Sequence, residues 1–131
     1  MPKRVIKTLN APQPIGTYSQ GIGADGFLFV SGQGAMDPKT GQLTATDIES
    51  QTRQVLSNVK GIVEASGLSL ADLVKVTIYL KDMNDFKKMN EIYKSFFSED
   101  PPARTTIQAE LPLPGMRIEI DVIAHRPQPS R

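Results

Sequence analysis

The sequence predicts an α+β fold, a mixed six-stranded sheet with two helices on one face. Three observations predict it. Residues 74–80, 104–109 and 117–124 alternate their side chains at the two-residue period of a strand. Residues 47–66 and 85–97 repeat apolar side chains at three- and four-residue spacing, the period of a helix with one buried stripe. Asp25-Gly26 separates two extended runs, which is a hairpin signal because both central residues of such a turn take positive φ. Strands and helices interleave while hairpins also occur, so the sheet is mixed. The order is β-β-β-α-β-α-β-β in one domain over residues 1–131.

Taken in order, residues 3–8 are a short strand with Val5 and Ile6 as its apolar content. NAPQPIG at 10–16 is a loop, since two prolines remove donors and fix φ. Residues 17–23 form a second strand, whose part 19–23 pairs with 27–31 across Asp25-Gly26. SGQGAMDPKTG at 31–41 is a loop. It fits neither glycine-rich phosphate motif, so a nucleotide reading of SGQG has little behind it. Thr46, with Glu49 three residues on, matches a capping box and opens the first helix; Gly67 stops it. Its stripe of Ile48, Thr52, Val55, Leu56, Val59, Ile62 and Val63 is scaffold. Residues 69–72 make one helical turn before the strand 74–80. Asn84 is the expected cap of the second helix, with Phe86, Met89, Tyr93 and Phe96 as its stripe.

Two helices cover one face of a sheet. Val74, Val76, Ile78, Ile118, Ile120 and Val122 are assigned to that face. Lys75, Thr77, Tyr79, Arg117, Glu119 and Asp121 fall on the other, which must be wet or meet another subunit. The apolar connection LPLPGM at 111–116 also needs cover, and together these suggest a closed oligomer.

Composition narrows the chemistry. The 131 residues hold no cysteine and one histidine, His125, so disulfides, thiolate nucleophiles, Cys-based zinc sites and His clusters are excluded. With 15 basic and 14 acidic residues the net charge is +1, which gives little long-range attraction for nucleic acid or an anionic membrane. No stretch approaches the ~20 apolar residues of a membrane span. The N-terminal MPKRVIKTLNAP lacks the apolar run of a signal peptide, so a soluble cytoplasmic protein is expected.

Two charged residues stand out. Arg104 follows Pro101-Pro102-Ala103, a stiff approach that pre-positions a planar receptor for a carboxylate. Glu119 lies in mid-strand. Each is either a solvated surface charge, with Arg104 paired to Glu91, Glu99, Asp100 or Glu119, or half of a site in which Glu119 orients a water or moves a proton. Burial would raise the pKa of Glu119 and a nearby cation would oppose it. Tyr18, flanked by Gly16, Thr17 and Ser19, can close a pocket. Ser31 is a strand-end hydrogen-bonder rather than a nucleophile, since no activating base is visible. Asn90 lies about one turn before Tyr93, whose place in the stripe makes it core before ligand.

GTYSQ at 16–20, LFVSGQG at 28–34, YLKDMNDF at 79–86, MNEIYKSFF at 89–97, PARTTI at 102–107 and IEIDVIA at 118–124 resemble the Rid family, also called YjgF, in order and spacing over nearly the whole chain. The resemblance implies a chorismate-mutase-like fold forming a homotrimer, with active sites in clefts between subunits. It implies hydrolysis of enamines and imines, such as 2-aminoacrylate and its imine tautomer, to 2-oxo acids and ammonia, without cofactor or metal. Carried over by position, Arg104 grips the substrate carboxylate and Glu119 lies near the attacking water. Tyr18 lines the pocket, the backbone at Ser31 and Gly32 contacts the ligand, and Asn90 and Tyr93 lie near the cleft. Thr106 stands where many members have cysteine, which should remove sensitivity to thiol reagents without removing hydrolysis. The connection 98–102 is shorter than in some members, which can reshape the cleft rim. The rival readings are an endoribonuclease, which would need a basic groove and an acid–base pair, a non-catalytic 2-oxo-acid-binding regulator using the same cleft, and a chaperone-like holdase.

Overall fold

A computed structural model describes residues 2–126. Six strands and two α-helices appear in the expected order: β1 (Arg4–Ile6), β2 (Gly21–Ala24), β3 (Phe27–Gln33), α1 (Ile48–Ala65), β4 (Leu73–Leu80), α2 (Phe86–Phe96), β5 (Ala103–Gln108) and β6 (Ile118–His125). They form one mixed sheet in the spatial order β1-β2-β3-β6-β4-β5. Every pairing is antiparallel except β4 with β5, which run parallel because α2 carries the chain back between them.

Both helices lie on one face. Val55, Leu56, Val59, Ile62 and Val63 of α1 are fully buried, as are Val76, Ile78, Leu80, Ile118 and Ile120 of the sheet beneath. The helical and strand periods therefore meet in one core, as the sequence predicts. The opposite face is open. Val5, Ile22, Phe29, Ile123 and Lys75 are register neighbours across five strands there, and Val5 and Phe29 are each nearly half exposed. His125 packs its ring 4.3 Å from that of Phe27. Among the described residues no helix is long and apolar enough to cross a membrane.

Several local expectations are corrected. The cap of α1 is Asp47, whose Oδ2 accepts from the Ser50 amide at 2.8 Å, while the Thr46 carbonyl accepts from Arg117 Nε. Asn84 does not cap α2; it lies in a 3-10 turn, Met83–Asp85, and its own amide donates to Asp82. Val74 does not face the helices. A register shift between Leu73 and Lys75 turns Leu73 inward, at 6% exposure, and leaves Val74 at 45%. Arg117 precedes β6, and its guanidinium binds Asp85 at 2.9 Å instead of lying on the open face. The second strand is confined to Gly21–Ala24, and Asp25 and Gly26 make the turn with φ of 52° and 83°. The supposed loop after Val30 begins as strand, because β3 runs on to Gln33.

Candidate active site

The predicted site residues fall into two groups, one on each side of the sheet. The first is built on β5 and α2. The parallel register sets Arg104 beside Val76 and Thr106 beside Ile78, so both point toward the helices. Arg104 Nη1 donates to Asn90 Oδ1 at 2.7 Å. Its guanidinium lies 4.8 Å from the centre of the Tyr93 ring and 5.6 Å from that of Phe86. Among the described residues no carboxylate is within ion-pair reach of it. The expected pairings with Glu91, Glu99, Asp100 or Glu119 are therefore not made, and the fork keeps donors free for a ligand carboxylate. Close by, the Tyr93 hydroxyl and Thr106 Oγ1 are buried with no hydrogen-bond partner. Folded chains rarely leave such groups orphaned. Burial pushes the Tyr93 phenol up, against the opposing pull of Arg104, so it is a neutral donor.

The second group is built on β6 and β3. Glu119 pairs with Tyr79 across β4, on the open face. The β3–β6 register slips between Val30 and Gln33, so Ser31 and Gly32 together oppose Asp121 alone. This bulge brings the Gly32 backbone against the Glu119 carboxylate, so closely that a side chain at position 32 would overlap it. Glu119, Gly32 and Tyr18 then line one cleft open to solvent, with Met36, Leu113 and Met116 among its apolar walls. Burial, and secondarily the charge of Asp121, raise the Glu119 carboxyl above its ordinary value. Among the described residues no cation opposes this, because Arg104 is on the far side of the sheet. Tyr79 donates its hydroxyl to Asp121 at 2.8 Å, and Glu119 is the carboxylate among the described residues that lines the cleft.

Tyr18 is nearly half exposed, and its hydroxyl accepts from the Ile15 amide at 3.2 Å. Ser31 donates Oγ to the Ser19 carbonyl at 2.6 Å, so its side chain is a fastener behind the cleft. The structure thus gathers Arg104, Asn90, Tyr93 and Thr106 in one place and Tyr18, Gly32 and Glu119 in another. It does not join Arg104 to Glu119 within one chain: β4 separates their strands and the two side chains leave opposite faces.

Sequence reasoning missed the residues that set the cleft walls. Asn58, fully buried in α1, donates to the carbonyls of Gly34 and Met36 at 3.0 and 2.9 Å. Gln51, also fully buried, donates to the carbonyls of Ala45 and Gly115 and accepts from the Arg117 amide. Gln20 does the same for residues 8–12. The available signal was polarity in the wrong place, since Gln51 and Asn58 interrupt the buried stripe of α1. Among the described residues no group of three or more His, Asp or Glu could hold a metal ion.

A family model described as Endoribonuclease L-PSP matches residues 8–126. The chain is 55% identical to a RutC family protein of Pyrococcus horikoshii, over 95% of this chain and 98% of that one. It is 46% identical to the 2-iminobutanoate/2-iminopropanoate deaminase of Salmonella typhimurium, over 94% and 98%. Among solved structures it resembles the YjgF gene product of E. coli, with a TM-score of 0.88 and 43% identity over 94% of this chain and 98% of that one.

Proposed function

This chain belongs to the Rid/YjgF family, and from that membership we propose that it is a hydrolytic deaminase converting 2-imino acids and their enamine tautomers to 2-oxo acids and ammonia. The observation that carries the reading is the Arg104 guanidinium, held by Asn90 and Tyr93 with no carboxylate partner among the described residues. It supplies a fixed receptor for a small carboxylate.

Arg104 and Glu119 leave opposite faces of the sheet, so we propose a homotrimer in the cytoplasm whose sites form between subunits. Arg104 of one subunit grips the substrate carboxylate, and Glu119 of the neighbour holds a water beside the imine carbon. The Glu119 carboxylate takes a proton as the water oxygen bonds to that carbon. Glu119 passes this proton to the imine nitrogen, and a carbinolamine forms. Glu119 then takes the proton of the new hydroxyl and gives it to the amine; the C–N bond breaks as the C=O bond forms, and ammonia leaves with the 2-oxo acid. A carboxyl with a raised pKa suits both transfers near neutral pH. Tyr18 and the Gly32 backbone flank the reacting centre. The Tyr93 and Thr106 hydroxyls are free to donate to the bound substrate or its water.

The test is subunit mixing. Arg104→Ala and Glu119→Gln are each made, shown to be impaired, then unfolded together and reassembled. Random mixing in a cyclic trimer gives about a quarter of the sites one intact Arg104 and one intact Glu119 from different chains. Release of 2-oxo acid from freshly generated 2-aminoacrylate should recover to about that share. Mixed trimers no better than the separate variants would refute the shared site.

A further inference from the structure

Between Ile6 and Gly21 the chain belongs to no strand or helix, yet Pro12, Ile15 and Tyr18 of this segment form one wall of the cleft that holds Glu119. Two prolines there contribute no amide donors. Ala11 anchors the segment in the core and the Asn10 backbone lies against Gly61 of α1, while most of the side-chain hydrogen bonds that fix its path come from Gln20, which is 2% exposed. Its Oε1 accepts from the Thr8 amide at 2.8 Å. Its Nε2 reaches three carbonyls, of Thr8 at 3.1 Å, Ala11 at 3.3 Å and Pro12 at 2.9 Å. The Gln20 backbone carbonyl accepts from the Ser31 amide at 3.0 Å, at the bulge that presses Gly32 against Glu119. One residue thus ties the irregular segment at 8–12 to the strand irregularity beside the carboxylate. Each of these bonds goes to backbone, so the tie is indifferent to the side chains of the segment and specific to its path.

We propose that Gln20 is a positioning residue, which sets the distance of the 8–18 wall, and with it Tyr18, from the Glu119 carboxylate. The inference rests on the reading of this cleft as a deaminase site and adds a residue to it.

The test is Gln20→Met, which keeps the length of the side chain and removes its hydrogen bonds, with Gln20→Glu, which keeps the acceptor for Thr8 and loses the donors. Three measurements are made on the full chain. In Gln20→Met, amide hydrogen exchange at Thr8 and Ile15 should rise at least tenfold while β4 and β6 keep their protection. kcat should fall about a hundredfold, as for a misplacement of roughly 1 Å, with KM little changed because Arg104 is untouched. The acid limb of the pH profile should move to lower pH. Water admitted past Pro12 and Ile15 relieves the burial of Glu119, while Asp121 and Tyr79 beside it on the sheet stay in place. Gln20→Glu should fall between Gln20→Met and the parent. Parent-like exchange at Thr8 and Ile15, or a parent-like kcat and pH profile, would overturn the assignment. So would failure of both variants to fold, which would make Gln20 a folding residue. The exchange measurement needs no substrate, so a parent without deaminase activity would remove the functional reading and still leave the tie decided.

Discussion

Replacing Arg104 by alanine removes the one contact on which the functional reading rests. Its guanidinium is pre-set, with Asn90 at 2.7 Å on one nitrogen and the faces of Tyr93 and Phe86 at 4.8 and 5.6 Å. Among the described residues no carboxylate competes for it. A hydrogen bond to a charged group is worth about 1.5–3 kcal/mol net. At about 1.4 kcal/mol per tenfold, kcat/KM should fall roughly 12- to 150-fold. The carboxylate is gripped alike in ground and transition states, so most of the loss should enter KM. Arg104→Lys keeps the charge without the planar fork and should fall between. The side chain is partly exposed on an edge strand, and stacking of this kind is worth about 0.5–1 kcal/mol, so the melting temperature should change little. The assay follows 2-oxo acid release from freshly generated 2-aminoacrylate against the uncatalysed rate. Parent-like kcat/KM in Arg104→Ala, with the fold intact, would refute both the role of Arg104 and the deaminase reading built on it.

Other substitutions separate the parts of the site. Glu119→Gln should lower kcat about 10²- to 10⁴-fold, the range of a lost general acid–base. The parent's activity should fall as pH drops through the raised Glu119 pKa, and this limb should be absent in the variant. The same shift has a stability consequence. A carboxyl whose pKa is raised on folding is penalised when ionised, so Glu119→Gln should melt higher than the parent at pH 8. The difference should vanish near pH 4, where the group is largely protonated folded or unfolded. Thr106→Val should raise stability by about 1 kcal/mol, because it removes a buried hydroxyl that nothing among the described residues satisfies, and should lower kcat/KM if that hydroxyl serves the substrate; denaturant titration and kinetics read the two effects. Leu56→Ala, at a fully buried position of α1, should cost about 2–5 kcal/mol by urea unfolding.

Most of the fold was legible because its signals are local. Period and turn chemistry located all six strands and both helices to within a few residues. The errors lie where two local signals compete. At the first helix Thr46 and Asp47 both suit a cap, and Asp47 takes the role because its carboxylate reaches the Ser50 amide. In β4 an unbroken alternation hid a register shift that turns Val74 out. At Ser31–Gly32 the glycines read as a loop, while the structure uses them as a bulge inside a strand. A bulge depends on the partner strand's spacing, which no window of one strand contains.

The site divides the same way. By itself the sequence determined which residue types were present, that Arg104 begins a stiffly approached strand, that Glu119 alternates out of phase with Ile118 and Ile120, and which family these segments resemble. Tertiary structure alone decided where those side chains go. Period two says which residues of a strand share a face but not which face it is. Only the parallel register of β5 beside β4 turns Arg104 and Thr106 toward α2, away from Glu119. Only the folded chain shows Gln20, Gln51 and Asn58 binding backbone carbonyls of the cleft walls, up to 64 residues away in sequence. The physical reason is common to both. A side chain's direction and the partner of a buried amide are set by segments distant in sequence, and hydrogen bonding to those segments is settled when the sheet closes on its helices.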